Sequence, residues 1–276
     1  MHIANDRKSL SEKIKEYKSR GDKITLIPTM GNLHQGHQAL FSKAPKNTIK
    51  VATIYVNPLQ FNDNDDYQNY PKSLQTDLEV CRQNNISLVY APEEDITHEI
   101  VTEKNIDLPK FTRYLCGQKR EGHFLGVYKI VKYFFNIVNP DFVCFGKKDY
   151  QQLLLIKYLV NTYFPKTHII DVETVRDANN IALSSRLTRL SKESLSSACI
   201  IYETLQNMKS ELLKGAMFDK LKEESIEHLE SNDIYVEYLD VRSLITLEEA
   251  TDKLNSCGIF IACHLDDVRL IDNIEI

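Results

Sequence analysis

The chain has 276 residues, 42% hydrophobic and 26% charged, with nine glycines and eight prolines, which excludes collagen-like and disordered classes and suits about two folded domains. Thirty-four Lys and Arg stand against 39 Asp and Glu, a formal net charge of −5, so no bulk positive field draws the chain to nucleic acid. No apolar run approaches the length of a membrane span, and the segment from Met1 to Arg20 is charged where a secretory leader would be apolar, so the expectation is a cytoplasmic protein without membrane partners.

Leu10, Ile14 and Tyr17 fall at helical spacing before Gly21, which predicts an amphipathic helix between Asp6 and Arg20. The β-branched runs Lys23 to Pro28 and Ile49 to Val56 then read as strands around a short helix from His37 to Ala44, a β-α-β unit. The alternation continues with a helix from Tyr70 to Asn84 and a strand from Ser87 to Tyr90. Next come a helical stripe from Phe124 to Val138, a buried strand from Asp141 to Gly146, a helix from Tyr150 to Asn161 and a strand from Ile169 to Val175. Such alternation predicts a parallel sheet. Beyond Val175 the pattern changes to a polar loop, a long helical region from Ser191 to Lys214, and strands at Ile234 to Val241 and Gly258 to Cys263. The predicted organisation is a Rossmann-type α/β domain over residues 1–175 and a smaller α+β domain over 176–276. Two connections, Asn57 to Pro71 and Glu93 to Glu121, are long enough to suggest function. Cys81, Cys116, Cys144, Cys199, Cys257 and Cys263 form no C-x-x-C pair and read as reduced thiols, most of them in the core.

The segment Pro28-Thr29-Met30-Gly31-Asn32-Leu33-His34-Gln35-Gly36-His37 follows a strand and opens a helix, so it stands at the carboxyl end of a parallel sheet, where such proteins bind ligands. Its glycines permit close backbone approach, the helix start offers unpaired N–H groups, and two imidazoles three residues apart can donate to phosphate oxygens. Read from the residues alone, the histidines could instead be surface groups, or could pair with His123 or a carboxylate on zinc. Gly146-Lys147-Lys148-Asp149 ends another strand and starts another helix on the same sheet edge. A lysine there can meet phosphate and Asp149 a ribose hydroxyl, although a solvated turn has the same composition. Ser184-Ser185-Arg186 adds two hydroxyls and a guanidinium near the domain junction.

With these pieces in view, the sequence resembles the pantothenate synthetase (pantoate-β-alanine ligase) family along nearly its whole length. The matching segments are PTMGNLHQGH (28–37), YVNPLQF (55–61), GHFLGV (122–127), FNIVNPD (135–141), FGKKDYQQL (145–153), ALSSR (182–186) and RLIDN (269–273). The resemblance implies an ATP-dependent ligase that joins pantoate to β-alanine through pantoyl adenylate in pantothenate and coenzyme A biosynthesis, with magnesium dependence, a homodimer, and a carboxyl-terminal domain that helps cover ATP.

Position by position, the resemblance implies that His34 and His37 contact phosphate and stabilise the transition state, with Lys148, Ser184 and Ser185 at the β,γ-phosphates and Gly146 and Asp149 at the ribose. Gly36, Met30, Gln151, Val175 and Arg186 complete the implied ATP site. Gln60 and Gln152 would hold the pantoate hydroxyls, beside Pro28, Met30, His123 and a mobile Arg120, and Asp77 would lie near magnesium. The chain departs from the family pattern at Lys147, usually acidic; at Leu187, usually Asn; at Lys72-Ser73, usually Arg-Thr; and at Glu121, usually Pro. As a residue at a position usually acidic, Lys147 is expected to be solvated. Two rivals are a nucleotidyltransferase acting on a phosphorylated acceptor, disfavoured by the neutral amides of Gln60 and Gln152, and a nucleotide-binding regulator without catalysis.

Overall fold

A computed structural model of the chain describes residues 1–100, 106–250, 254 and 256–276. The chain begins with strand β1 (His2–Ala4), helix α1 (Arg7–Ser19), β2 (Lys23–Thr29), α2 (Gln35–Lys43) and β3 (Thr48–Ile54). It continues through α3 (Asn64–Gln68), α4 (Leu74–Gln83), β4 (Leu88–Tyr90), α5 (Thr97–Ile100), α6 (Cys116–Lys119), α7 (His123–Val138), β5 (Phe142–Gly146), α8 (Tyr150–Tyr163) and β6 (His168–Val172). The remainder comprises α9 (Lys192–Ser197), α10 (Cys199–Leu213), α11 (Phe218–Glu230), β7 (Tyr235–Ser243), β8 (Cys257–Leu265) and β9 (Val268–Glu275).

The first six strands form a parallel sheet in the order β1-β4-β3-β2-β5-β6, and the last three form an antiparallel sheet, β7-β8-β9. Ile24, Leu26 and Ile27 of β2 and Val143, Cys144 and Phe145 of β5 are all buried, as expected of strands covered by helices on both faces. One face packs on α7, whose Phe124, Val127, Val131, Phe134 and Val138 join the main core. The other meets α2 and α4 through Leu40, Phe41, Leu78 and Cys81. A separate core joins α10 and α11 to the antiparallel sheet. From β2 the chain runs to β3 on one side, while β5 pairs on the other. The crevice at the carboxyl ends of β2 and β5 is therefore the sheet's topological switch point.

The expected helix from Ser191 to Lys214 is two helices meeting at Ala198. The Ser196 and Ser197 hydroxyls donate back to Glu193 O and the Cys199 thiol to Ser196 O, local bonds of the kind that compete with a continuous helical ladder. β1, α11 and β9 had no sequence assignment. The long connections carry short ordered turns, Pro58–Gln60 and Lys110–Arg113 among them, together with α3, α5 and α6. Part of the second connection, residues 101–105, lies outside the described residues. None of the six cysteines is joined in a disulfide, and all but the half-buried Cys199 are buried.

Candidate active site

A cavity of about 250 Å³ opens at the switch point and is closed on one side by the antiparallel sheet. Every site residue singled out in the sequence lines it except Asp77: Pro28, Met30, His34, Gly36, His37, Gln60, Arg120, His123, Gly146, Lys148, Asp149, Gln151, Gln152, Val175, Ser184, Ser185 and Arg186.

The two motif histidines build the start of α2. His34 is its N-cap, and its Nδ1 accepts the Gly36 N–H at 3.1 Å, while the His34 N–H donates to His37 Nδ1 at 3.2 Å. A side chain at position 36 would place Cβ 2.8 Å from the His34 ring, so the cap requires glycine there. Since each Nδ1 is an acceptor, each neutral ring carries its proton on Nε2. Burial, reinforced by Lys148, lowers His34 to about 4; burial, with His34 and Lys148, lowers His37 to about 3. At neutral pH the pair is therefore two uncharged Nε2–H donors, with ring centroids 4.2 Å apart.

At the end of β5 the two lysines separate. Lys148 lines the cavity and has no ion-pair partner among the described residues. Lys147 ion-pairs with Glu173 at 2.6 Å and Glu275 at 3.1 Å, bonds that raise its pKa above the ordinary lysine value. The expectation of a solvated Lys147 is thus corrected: two acids anchor it where the domains meet. Asn273 of β9 supports the same turn, donating from Nδ2 to the carbonyls of Lys147 at 3.1 Å and Lys148 at 2.9 Å.

A second group of cavity residues centres on Gln60. Asn57 Nδ2 donates to Gln60 Oε1 and to the Gly126 carbonyl, both at 3.1 Å, and Gln60 Nε2 contacts Met30 Sδ at 2.9 Å. The turn Pro58–Gln60 sits so close to α7 that a Cβ at Gly126 would lie 2.1 Å from Leu59 O. His123 donates from Nδ1 to Gln60 O at 2.7 Å, which leaves Nε2 to accept from Arg120 Nη1 at 3.3 Å. Burial, with Arg120, keeps His123 neutral at about 3. Arg120 is held by Asn62, His123 and the Gln60 carbonyl; burial and the neighbouring Arg186 and Arg269 lower it to about 10, still cationic at neutral pH.

Three residues are placed differently from expectation. Asp77 lies beneath the histidine loop, where its oxygens accept Asn32 N–H at 3.0 Å, Leu33 N–H at 2.7 Å and the Ser73 hydroxyl at 3.2 Å. It is 1% exposed, so it shapes the loop and does not face the cavity as a metal ligand. Gln151 lines the cavity, but its amide is consumed by main-chain groups of residues 111–116. Ser185 donates to Asn32 O at 3.1 Å and so ties the serine segment to the histidine loop, leaving the Ser184 hydroxyl as the freer donor.

Sequence reasoning missed Asn57, Asn273 and Asp66. Asp66 accepts from both Arg186 and Arg189 at 2.7–3.1 Å, and Arg186 lies over the Tyr70 ring. Burial opposes ionisation of Asp66, but the Arg186 and Arg189 bonds bring its pKa below the usual carboxylate value. Asn57 and Asn273 lie within matched motifs, the one usable signal; Asp66 lies in the Asn57 to Pro71 connection, whose length suggests function without singling out a residue. Among the described residues no group of three or more His, Cys, Asp or Glu could hold a metal, which removes the zinc reading of the histidines.

The model of the family described as pantoate-beta-alanine ligase matches residues 2–275. The chain belongs to that family. The pantothenate synthetase of Aliivibrio fischeri is 38% identical over 281 aligned positions, covering 100% of this chain and 96% of the relative. A crystal structure of pantothenate synthetase from Thermus thermophilus superposes with a TM-score of 0.90 at 31% identity, covering 100% of this chain and 99% of the other. A pantoate-beta-alanine ligase from Francisella tularensis, complexed with beta-gamma ATP and beta-alanine, gives 0.83 at 32% identity, with coverage of 100% and 97%.

Proposed function

We propose that this chain condenses pantoate and β-alanine to pantothenate in two half-reactions. The pantoate carboxylate attacks the α-phosphorus of ATP to give pantoyl adenylate and pyrophosphate; the β-alanine amine then attacks the acyl carbon, and AMP leaves. The observation that carries this reading is the pair of neutral Nε2–H donors beside Lys148, at the crevice where a parallel sheet receives a nucleotide. Charge that develops on the phosphates during attack meets preorganised donors in a partly dehydrated site, so little reorganisation is needed as the barrier is crossed. No enzyme nucleophile is required; orientation of two bound reactants supplies much of the rate.

The neutral amides of Gln60 and Gln152, with Met30, suit the hydroxyl groups of a hydroxy acid, with Phe124 and Val127 providing apolar wall. Of the acids around the cavity, Glu173 is paired with Lys147 and Asp272 with Arg176, whereas Asp149 has no partner among the described residues. That donor set fits a magnesium ion carried mainly by ATP phosphates, which demands few protein carboxylates; when bound it neutralises phosphate charge. The reading includes an ATP- and pantoate-binding domain over 1–175, a covering domain over 176–276, a homodimeric assembly and a cytoplasmic setting.

The test is to incubate the protein with ATP, magnesium and pantoate, measure pyrophosphate, then add β-alanine and identify the product by mass spectrometry. Pyrophosphate is expected before β-alanine is added, and the amide afterwards. Absence of both from folded protein would refute the proposal.

A further inference from the structure

Gln151 occupies the first turn of α8 and is 6% exposed. Its Nε2 donates to the carbonyls of Phe111 and Tyr114, both at 2.7 Å, and its Oε1 accepts the Cys116 N–H at 3.1 Å. Both amide hydrogens are therefore used, and no donor is left for a ligand. The segment so held includes Leu115 at φ 44° and ψ −118°, a conformation that a side chain adopts only when its surroundings impose it. Leu115 and Cys116 both line the cavity. The antiparallel sheet meets them there, with the Tyr238 hydroxyl 3.0 Å from Cys116 Sγ and Leu115 packed with Leu247 and Phe260. The next residue of α8, Gln152, faces the cavity with no hydrogen-bond partner among the described residues. One helical turn thus holds an apolar wall through Gln151 and offers a free amide through Gln152.

We infer that Gln151 is a positioning residue for acid selectivity: by fixing Leu115 and Cys116 as a wall, it lets the site distinguish a bulky, branched hydroxy acid from smaller ones. The inference rests on the proposed pantoate site, because the branched acid is the ligand against which the wall would pack. Gln151→Met and Gln151→Glu retain approximate size but remove the paired donors. Both are expected to raise the KM for pantoate about tenfold or more, as unmet main-chain groups release the wall, while the KM for ATP stays within about twofold. The preference for pantoate over 2,4-dihydroxybutyrate, which lacks the two methyl groups, should fall by about tenfold, the scale on which a pocket weighs a few apolar carbons.

A merely structural role would reduce folded enzyme and kcat and leave both the KM split and the acid preference unchanged; that outcome overturns the inference. Hydrogen exchange at the Cys116 amide gives a readout that needs no turnover. It should accelerate at least tenfold in Gln151→Met relative to amides in the middle of α8, and unchanged protection would also refute the role. Should the Gln151 variants fail to fold, Leu115→Ala removes the wall side chain instead, and undiminished acid preference in that variant would equally overturn it. A wild-type chain that releases no pyrophosphate would instead refute the functional reading, with the exchange experiment still able to decide the Cys116 contact.

Discussion

Replacing His37 by Asn separates the two jobs of this residue, because Asn Oδ1 can take the place of Nδ1 and still accept the His34 N–H. The substitution removes the Nε2–H donor and also a titrating group. Burial lowers His37 from 6.5 to about 3, so below pH 6.5 the unfolded chain takes up a proton that the folded chain refuses. Stability therefore falls as pH falls, across the window from about 6.5 down to 3. At pH 5 the interval below the unfolded value is one and a half units, which at 1.36 kcal/mol per unit amounts to about 2 kcal/mol. Urea unfolding of wild type and His37→Asn at pH 7.5 and pH 5.0 measures this directly. The wild-type loss on acidification should exceed the variant loss by about 2 kcal/mol, and adenylate formation by the variant at pH 7.5 should fall by about a hundredfold. Parallel stability curves would show that His37 titrates normally and is not held as a neutral donor. Unchanged pyrophosphate release would remove the His37 hydrogen-bond donor from the mechanism.

Lys148→Ala should lower adenylate formation by about a hundredfold, the scale of a lost phosphate contact, whereas Lys147→Ala, which loses only its bonds to Glu173 and Glu275, should leave it within about threefold; equal large losses in pyrophosphate assays would refute the division between them. Gln60→Ala should raise the pantoate KM about tenfold with little change for ATP, since one unmade buried bond is worth about 1–3 kcal/mol; the reverse pattern would move the acid elsewhere. Asp77→Asn should cost about 1–3 kcal/mol in chemical denaturation, because an amide cannot accept on both sides as the carboxylate does toward Asn32 and Leu33. Its activity should show an unaltered magnesium midpoint, and a large shift in that midpoint would restore a metal-binding role.

Alternation of strand and helix sufficed for the parallel architecture, because buried strands and amphipathic helices carry their periods in local sequence. The H-x-G-H segment was legible for the same reason: a strand end, glycines and a helix start lie within ten consecutive residues. β1 was not, since three residues acquire strand character only by pairing with β4. The division of labour between Lys147 and Lys148 was assigned by family register, but the partners of Lys147 were invisible, because Glu173 and Glu275 lie far along the chain. Asp77 and Gln151 mark the limit of carrying roles over by position. A carboxylate or an amide has the same letter whether it meets a ligand or a main chain; Asp77 is only 1% exposed and Gln151 6%, and main-chain groups consume their bonds. Local order is set by neighbours in sequence, whereas the hydrogen-bonding capacity left for a substrate is what remains after tertiary packing has satisfied every buried donor and acceptor.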